Sequence, residues 1–180
     1  MITEKTFIEG LLVIRPRVFE DARGYFFESY NEKALHEAGL NATFVQDNQS
    51  LSQKGVLRGL HFQAPPFAQG KLVRVIKGAV LDVVVDIRKK SPTYGKHFAI
   101  ELTEQNKTML WVPEGFAHGF ATLQNDTIFY YKCTNYYHKE SEGCVMWNDK
   151  SLGIEWKMRD PVLSEKDKAG TPFTDFVSPF

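Results

Sequence analysis

The sequence predicts an all-β protein, a sandwich or barrel of short strands with a few short helices, and three observations carry that prediction. Short runs rich in Val, Ile, Phe and Tyr recur along the 180 residues, separated by Gly, Pro, Asn and Asp, the pattern of half-buried strands and their turns. Aromatic residues make up 13% of the chain, a composition that suits pleated, packed surfaces. Gly78–Arg88 alternates: Leu81, Val83, Val85 and Ile87 fall on one face, Asp82, Val84 and Asp86 on the other.

Lys5–Arg15 is the first candidate strand. Asp21-Ala22-Arg23-Gly24 forms a turn, and Tyr25–Tyr30 a second strand. Asn31–Gly39 is the one clear helix: Asn31 caps it, Ala34, Leu35 and Ala38 are apolar at helical spacing, and Gly39 ends it. Thr43–Asp47 is a further strand. Val56–Gln63 and Lys71–Ile76 form a pair separated by the Pro-Pro connection Ala64–Gly70. After Gly78–Arg88 and the turn Ser91–Gly95 come His97–Leu102 and Lys107–Val112, then Pro113–Thr122 and Thr127–Thr134. Leu163–Lys168 is a short helix capped by Ser164, and the segment carrying Pro172 and Pro179 wraps a surface. No repeat, low-complexity tract or linker interrupts the chain, so one domain is expected, at a length where a real core forms.

Lys and Arg number 22, as do Asp and Glu, giving zero net charge and no basic field to argue for nucleic acid. Two cysteines, Cys133 and Cys144, are too few for a disulfide framework; reduced thiols and a cytoplasmic protein are expected. The opening MITEKTFIEG lacks a basic stretch followed by an apolar one, so no signal peptide is expected. No apolar run approaches the roughly 20 residues of a membrane helix.

The chemistry concentrates in GVLRGLHFQAPPFAQGKLVRVIKG, Gly55 to Gly78. His61, Arg58, Arg74 and Lys71 in one short hairpin suggest an anion site with a base beside it; the alternative is an ordinary solvated hairpin, with Arg74 merely an exposed sheet residue. Strict alternation puts Arg58 and His61 on opposite faces, so a bulge or strand end near Gly59 is needed to bring both to one site. Asp82 and Asp86 are either solvated or aimed into a polar pocket. His118, between Phe116 and Phe120, is a pocket residue or a structural histidine bonded to Asp82.

Pro113-Glu114-Gly115-Phe116-Ala117-His118-Gly119 matches the second motif of the cupin family, and Gly55 followed by His61 matches the first. The second histidine of the first motif is Gln63, and the usual acidic ligand position falls on Lys71. A metal cupin needs about four donors, and an ammonium in place of a carboxylate repels a cation. The chain therefore resembles a cupin jelly roll without a metal or other cofactor. The strings ARGYFFESYN, FVQDNQS, VLRGLHFQ, GKLVRV, DVVVDIRK, SPTYG, WVPEGFAHGF, YYKCTNYY and GIEW, in this order, resemble the dTDP-4-dehydrorhamnose 3,5-epimerase family over roughly Phe7 to Lys168.

That resemblance implies cofactor-free inversion of C3 and C5 in dTDP-4-dehydro-6-deoxy-D-glucose. Removing a proton next to a ketone needs a base of near-neutral pKa and a group that stabilises the enolate. By resemblance His61 is the base, Asp167 orients it, and Lys71 holds the 4-keto oxygen. Tyr131 returns a proton to the other face, with the orientation of Tyr130 and Tyr131 left open. Arg23 and Arg58 suit the diphosphate. Phe26 and Tyr137 are candidates to stack on thymine, Glu28 and Gln46 to bond its edge, and His118 to line the substrate. The family draws Arg23–Glu28 from the neighbouring subunit, which implies a homodimer with shared sites. The rivals are an epimerase acting at one carbon only and a dTDP-sugar-binding cupin without catalysis.

Overall fold

A computed structural model describes residues 1–180. Its strands are β1 (Ile2–Lys5), β2 (Leu12–Arg15), β3 (Phe19–Asp21), β4 (Gly24–Phe26), β5 (Gln46–Ser52), β6 (Leu57–Gln63), β7 (Lys71–Lys77), β8 (Ala79–Asp86), β9 (His97–Thr103), β10 (Met109–Val112), β11 (Phe116–Thr122), β12 (Thr127–Cys133) and β13 (Glu142–Cys144). Two α-helices, α1 (Glu32–Glu37) and α2 (Glu165–Lys168), and a 3-10 turn at Lys139–Ser141 complete it. Sheet I has the order β1-β2-β10-β7-β12-β5 and sheet II the order β13-β6-β11-β8-β9, while β3 and β4 form a separate ribbon. The two sheets face each other as a cupin-type jelly-roll sandwich. No helix is long and apolar enough to cross a membrane.

Three apolar layers follow from the alternation. Between the sheets, Val73, Val75, Leu110 and Phe129 of sheet I meet Val80, Val84, Phe116 and Phe120 of sheet II. The outer face of sheet II carries Leu57, Leu60, Leu81, Val83 and Val85, covered by Phe173, Phe176 and Phe180. The C-terminal segment thus wraps a surface as expected, and each large side chain it buries contributes about 2 kcal/mol. The outer face of sheet I packs Ile14, Leu72 and Met109 under Leu35 of α1. Every residue of β8 is buried, because both of its faces are covered. Asp82 and Asp86 are accordingly unsolvated, each 0% exposed.

The helices form as read: Asn31 Oδ1 accepts from the Ala34 amide at α1, and Ser164 caps α2. Several strands differ. Lys5–Arg15 is a hairpin, β1 and β2 pairing Lys5 with Leu12, because Gly10 at φ +88° turns the chain. Tyr25–Tyr30 is a strand only to Phe26. The strand expected at Thr43–Asp47 lies at Gln46–Ser52; it is an edge strand, polar on both faces, with no apolar period to mark it. β13 was not legible, being three residues long with Gly143 at its centre.

The expected irregularity at Gly59 is present. The β6–β11 register pairs His61 with His118 but Arg58 with Phe120, so it shifts between them. Gly59 sits at φ +134°, and a Cβ there would lie 2.5 Å from the Gly119 Cα. Only two facing glycines allow this approach. The shift places Leu57 and Leu60 on the outer face while Arg58 and His61 both line the interior cavity.

Candidate active site

Between the sheets, at the end not filled by the apolar layer, lies a cavity of about 310 Å³. Sheet II supplies Arg58, His61 and His118 to its wall, and sheet I supplies Lys71 and Tyr131. Helix α2 adds Asp167. A second cavity of about 410 Å³ adjoins it, sharing His61, Lys71, Tyr131 and Glu142, and carries Gln46 and Tyr137. The structure therefore brings eight of the sequence-predicted site residues to one continuous cleft. Arg23, Phe26 and Glu28 are not among them. Arg23 pairs with Asp21, Phe26 is exposed on the ribbon, and Glu28 accepts from Asn31 Nδ2 at 3.1 Å.

His61 is oriented from the C-terminal segment. Val162 bridges in parallel to Val56, with the Leu57 amide donating to Val162 O at 3.1 Å, and this docks α2 beside β6. Asp167 stands at the third position of α2 in a reciprocal capping box with Ser164. Its Oδ2 accepts from the Ser164 hydroxyl at 2.5 Å, and its Oδ1 accepts from the Gly59 amide at 3.1 Å. The same Oδ1 lies 2.6 Å from His61 Nε2. Burial alone would raise the carboxyl pKa, but the bonds from His61, Ser164 and Gly59 outweigh it and hold Asp167 at about 2. It stays ionised beside the imidazole.

Of the two tyrosines, Tyr131 shares the inward face of β12 with core Phe129, and Tyr130 turns outward, donating to Asp47 Oδ2 at 2.6 Å. Burial pushes the Tyr131 phenol above its ordinary value. Lys71, on the neighbouring strand, has its ammonium pushed down by burial, opposed by the charges of Glu142 and Asp82; its Nζ lies 6.0 Å from the Tyr131 ring centre. Arg58 donates to Ser52 Oγ through Nε and Nη2, both at 3.3 Å. His118 Nε2 lies 2.9 Å from both oxygens of Asp82, so it is bonded to Asp82 and also lines the cavity. Arg74 is not at the site; it lies half-buried on the outer face between Phe27 and Tyr130.

Sequence reasoning missed two residues. Glu142 and Lys166 pair with each other and line the cleft. Glu142 is placed by the short β13; Lys166 is adjacent to Asp167 in the Ser-Glu-Lys-Asp stretch, where it reads as a solvated helix charge. Cys144, opposite His61 across β6 and β13, has its thiol pushed up to about 11 by burial and stays protonated. The cupin metal positions do not make a donor set. His118 Nε2 faces Asp82, a lysine, Lys71, stands at the acidic ligand position, and Gln63 Nε2 donates to the Phe67 and Tyr136 carbonyls.

Comparison with known proteins agrees with this geometry. The family model for dTDP-4-dehydrorhamnose 3,5-epimerase matches residues 5–175. The enzyme of that name from Salmonella typhimurium is 55% identical over 177 residues, covering 97% of this chain and 96% of the relative. The crystal structure of dTDP-4-dehydrorhamnose 3,5-epimerase from Elizabethkingia anophelis superposes with a TM-score of 0.93 at 52% identity, covering 97% of each chain. A Legionella pneumophila 3,5-epimerase in complex with dTDP-4-keto-L-rhamnose does so with a TM-score of 0.91 at 48% identity, over 94% of this chain and 91% of the other. With its jelly roll, its cleft and its sequence all in agreement, this chain belongs to the dTDP-4-dehydrorhamnose 3,5-epimerase family.

Proposed function

We propose that the protein epimerises C3 and C5 of dTDP-4-dehydro-6-deoxy-D-glucose, giving dTDP-4-dehydro-L-rhamnose, with its own side chains as the only catalysts. The observation that carries this reading is the placement of His61 and Tyr131 on facing sheets, lining one cavity. Inversion needs proton removal from one face of a carbon and delivery to the other, and opposite walls supply the two faces.

His61 takes the proton from the carbon beside the ketone, becoming imidazolium against the ionised Asp167. The electron pair moves onto the 4-keto oxygen, where the Lys71 ammonium stabilises the enolate charge. Tyr131, a phenol kept protonated by burial, donates its proton to the carbon from the other side. His61 then loses the abstracted proton, and Tyr131 regains one, through exchange with solvent. Arg58 and Lys166 supply cations for the diphosphate, His118 contacts the sugar, and Tyr137 with Gln46 receives the thymine at the mouth.

Arg23, Phe26 and Glu28 serve the site of a second copy in a homodimer. Support comes from the ribbon: Phe19, Tyr25 and Phe26 are 50%, 58% and 67% exposed, which suits burial against a partner. Mixed dimers test this. Refolding Arg23→Ala with His61→Ala chains restores roughly a quarter of the wild-type sites if sites are shared, and none if they are not. The unpaired thiols of Cys133 and Cys144 support a cytoplasmic setting.

The test of the reaction is turnover in deuterated water. Label is expected at both C3 and C5. Label at one carbon alone would make this a single-carbon epimerase, and dTDP binding without label would make it a binding protein.

A further inference from the structure

Gln63 occupies the place where a metal cupin carries its second histidine, and its amide is fully committed elsewhere. It is 5% exposed. Its Nε2 donates to Phe67 O at 2.6 Å and to Tyr136 O at 3.2 Å. Its Oε1 accepts from the His138 amide at 2.9 Å. One side chain thus ties the Pro-Pro loop to both sides of Tyr137. Two further glutamines hold the same turn from outside it. Gln69 Nε2 donates to Asn135 O at 2.7 Å, and the Tyr137 amide donates to Gln46 Oε1 at 3.0 Å. The Phe67 and His138 rings stack at 3.8 Å over the junction.

This degree of restraint is unusual for a surface turn. The Tyr137 side chain is 55% exposed, so little packing fixes it; its hydroxyl donates to Glu142 Oε2 at 3.0 Å, and the backbone beneath sets where the ring stands. A ring held in place before the ligand arrives avoids the ordering cost of binding. Among the three glutamines, Gln63 is the buried one and the only one bonded on both sides of Tyr137. It also lies two residues from His61 on β6, so one strand carries both the base and the brace for the mouth.

We propose that Gln63 is a positioning residue for nucleotide recognition, pinning the Tyr136–His138 backbone so that Tyr137 presents its ring to the base of the nucleoside diphosphate. The proposal rests on the reading of Tyr137 as the thymine contact.

The test uses the full-length protein with dTDP and the dTDP-ketosugar. Gln63→Met removes both donors and the acceptor at similar volume. KM and the dTDP Kd are expected to rise about tenfold, the worth of about one hydrogen bond, with kcat within twofold of wild type. A merely structural role would lower the melting temperature and leave KM and Kd in place, and that result overturns the proposal; so does a fall in kcat at unchanged KM. Should Gln63→Met not fold, Gln63→Glu keeps the volume and the acceptor for the His138 amide while setting an oxygen against two carbonyls, and carries the same expectation. Tyr137→Ala separates the two ideas. If it leaves dTDP affinity unchanged, the reading of Tyr137 fails. If it weakens binding while Gln63→Met does not, the proposal fails alone. In the double variant the two losses should not add.

Discussion

Two histidine–carboxylate pairs face the same cavity, and they are built differently. His118 and Asp82 sit on adjacent strands of one sheet, and their side chains are 8% and 0% exposed. Both carboxylate oxygens are equidistant from Nε2, and the Phe129 ring stacks beside His118 at 6.3 Å and on Phe120 at 4.1 Å. His61 and Asp167 span two elements, a strand and the C-terminal helix, and the His61 side chain is 25% exposed. Its carboxylate is independently supported by Ser164 and Gly59. In the proposed mechanism the same two functional groups thus give a brace in one case and a reagent in the other. What separates them is where the carboxylate finds its other bonds, and whether the ring keeps a face open to the cavity.

The comparison is broken most directly by His61→Ala. Loss of a general base costs on the order of 10³-fold, so solvent exchange at C3 and C5 should fall at least that far. The dTDP Kd should stay near wild type. Stability should change little, because Asp167 retains the Ser164 hydroxyl and the Gly59 amide. If exchange persists at a tenth of the wild-type rate, His61 is not the base. His118→Ala should show the opposite balance. Asp82 would be left as a buried carboxylate without its partner, a loss of about 3 kcal/mol visible as a lower denaturant midpoint, while exchange persists within about tenfold. A His118→Ala protein as stable as wild type would remove the distinction.

Asp167→Asn sharpens the comparison on the reagent side. The amide conserves shape and can still meet Ser164, but it cannot stabilise an imidazolium. A drop in kcat of about 10²-fold with an unchanged KM is expected. A loss confined to KM would mean that Asp167 serves binding.

The two pairs also differ in how far the sequence revealed them. Asp82 is legible as a carboxylate on one face of an alternating strand, and His118 as the one polar side chain between two core phenylalanines, so their pairing is one of the readings the residues alone allow. Asp167 looked like any helix carboxylate. Its role depends on a parallel bridge at Val162 that no local period encodes, and only family resemblance singled it out. The central strands were legible because their apolar faces are buried; β5 was displaced because its inward face, Gln46, Asn48 and Ser50, lines a polar cleft. Glu142 escapes a sequence reading for another reason: its strand, β13, is too short to show a pattern. The helix of Asn31–Gly39 was legible because caps and spacing are local.

The last prediction concerns acid. Asp86 and Asp167 are both held at about 2 against an ordinary value of 3.8. For Asp86, burial would raise the pKa, but the bonds from Arg88, Ser91 and Thr93 outweigh it. A carboxyl whose pKa is depressed by folding binds its proton more tightly in the unfolded chain. Its contribution is therefore complete above about pH 4 and is lost as pH falls through about 2, at about 2 kcal/mol for each group. Urea midpoints measured between pH 5 and pH 2 should fall steeply over that window. Asp86→Asn should remove part of the slope without touching kcat, because Asp86 lies at the far end of β8 and braces Arg88 and the Ser91 turn. Asp167→Asn should remove a similar part and lose activity as well. If neither substitution alters the slope, the depressed carboxyls are not what ties the stability of this fold to pH.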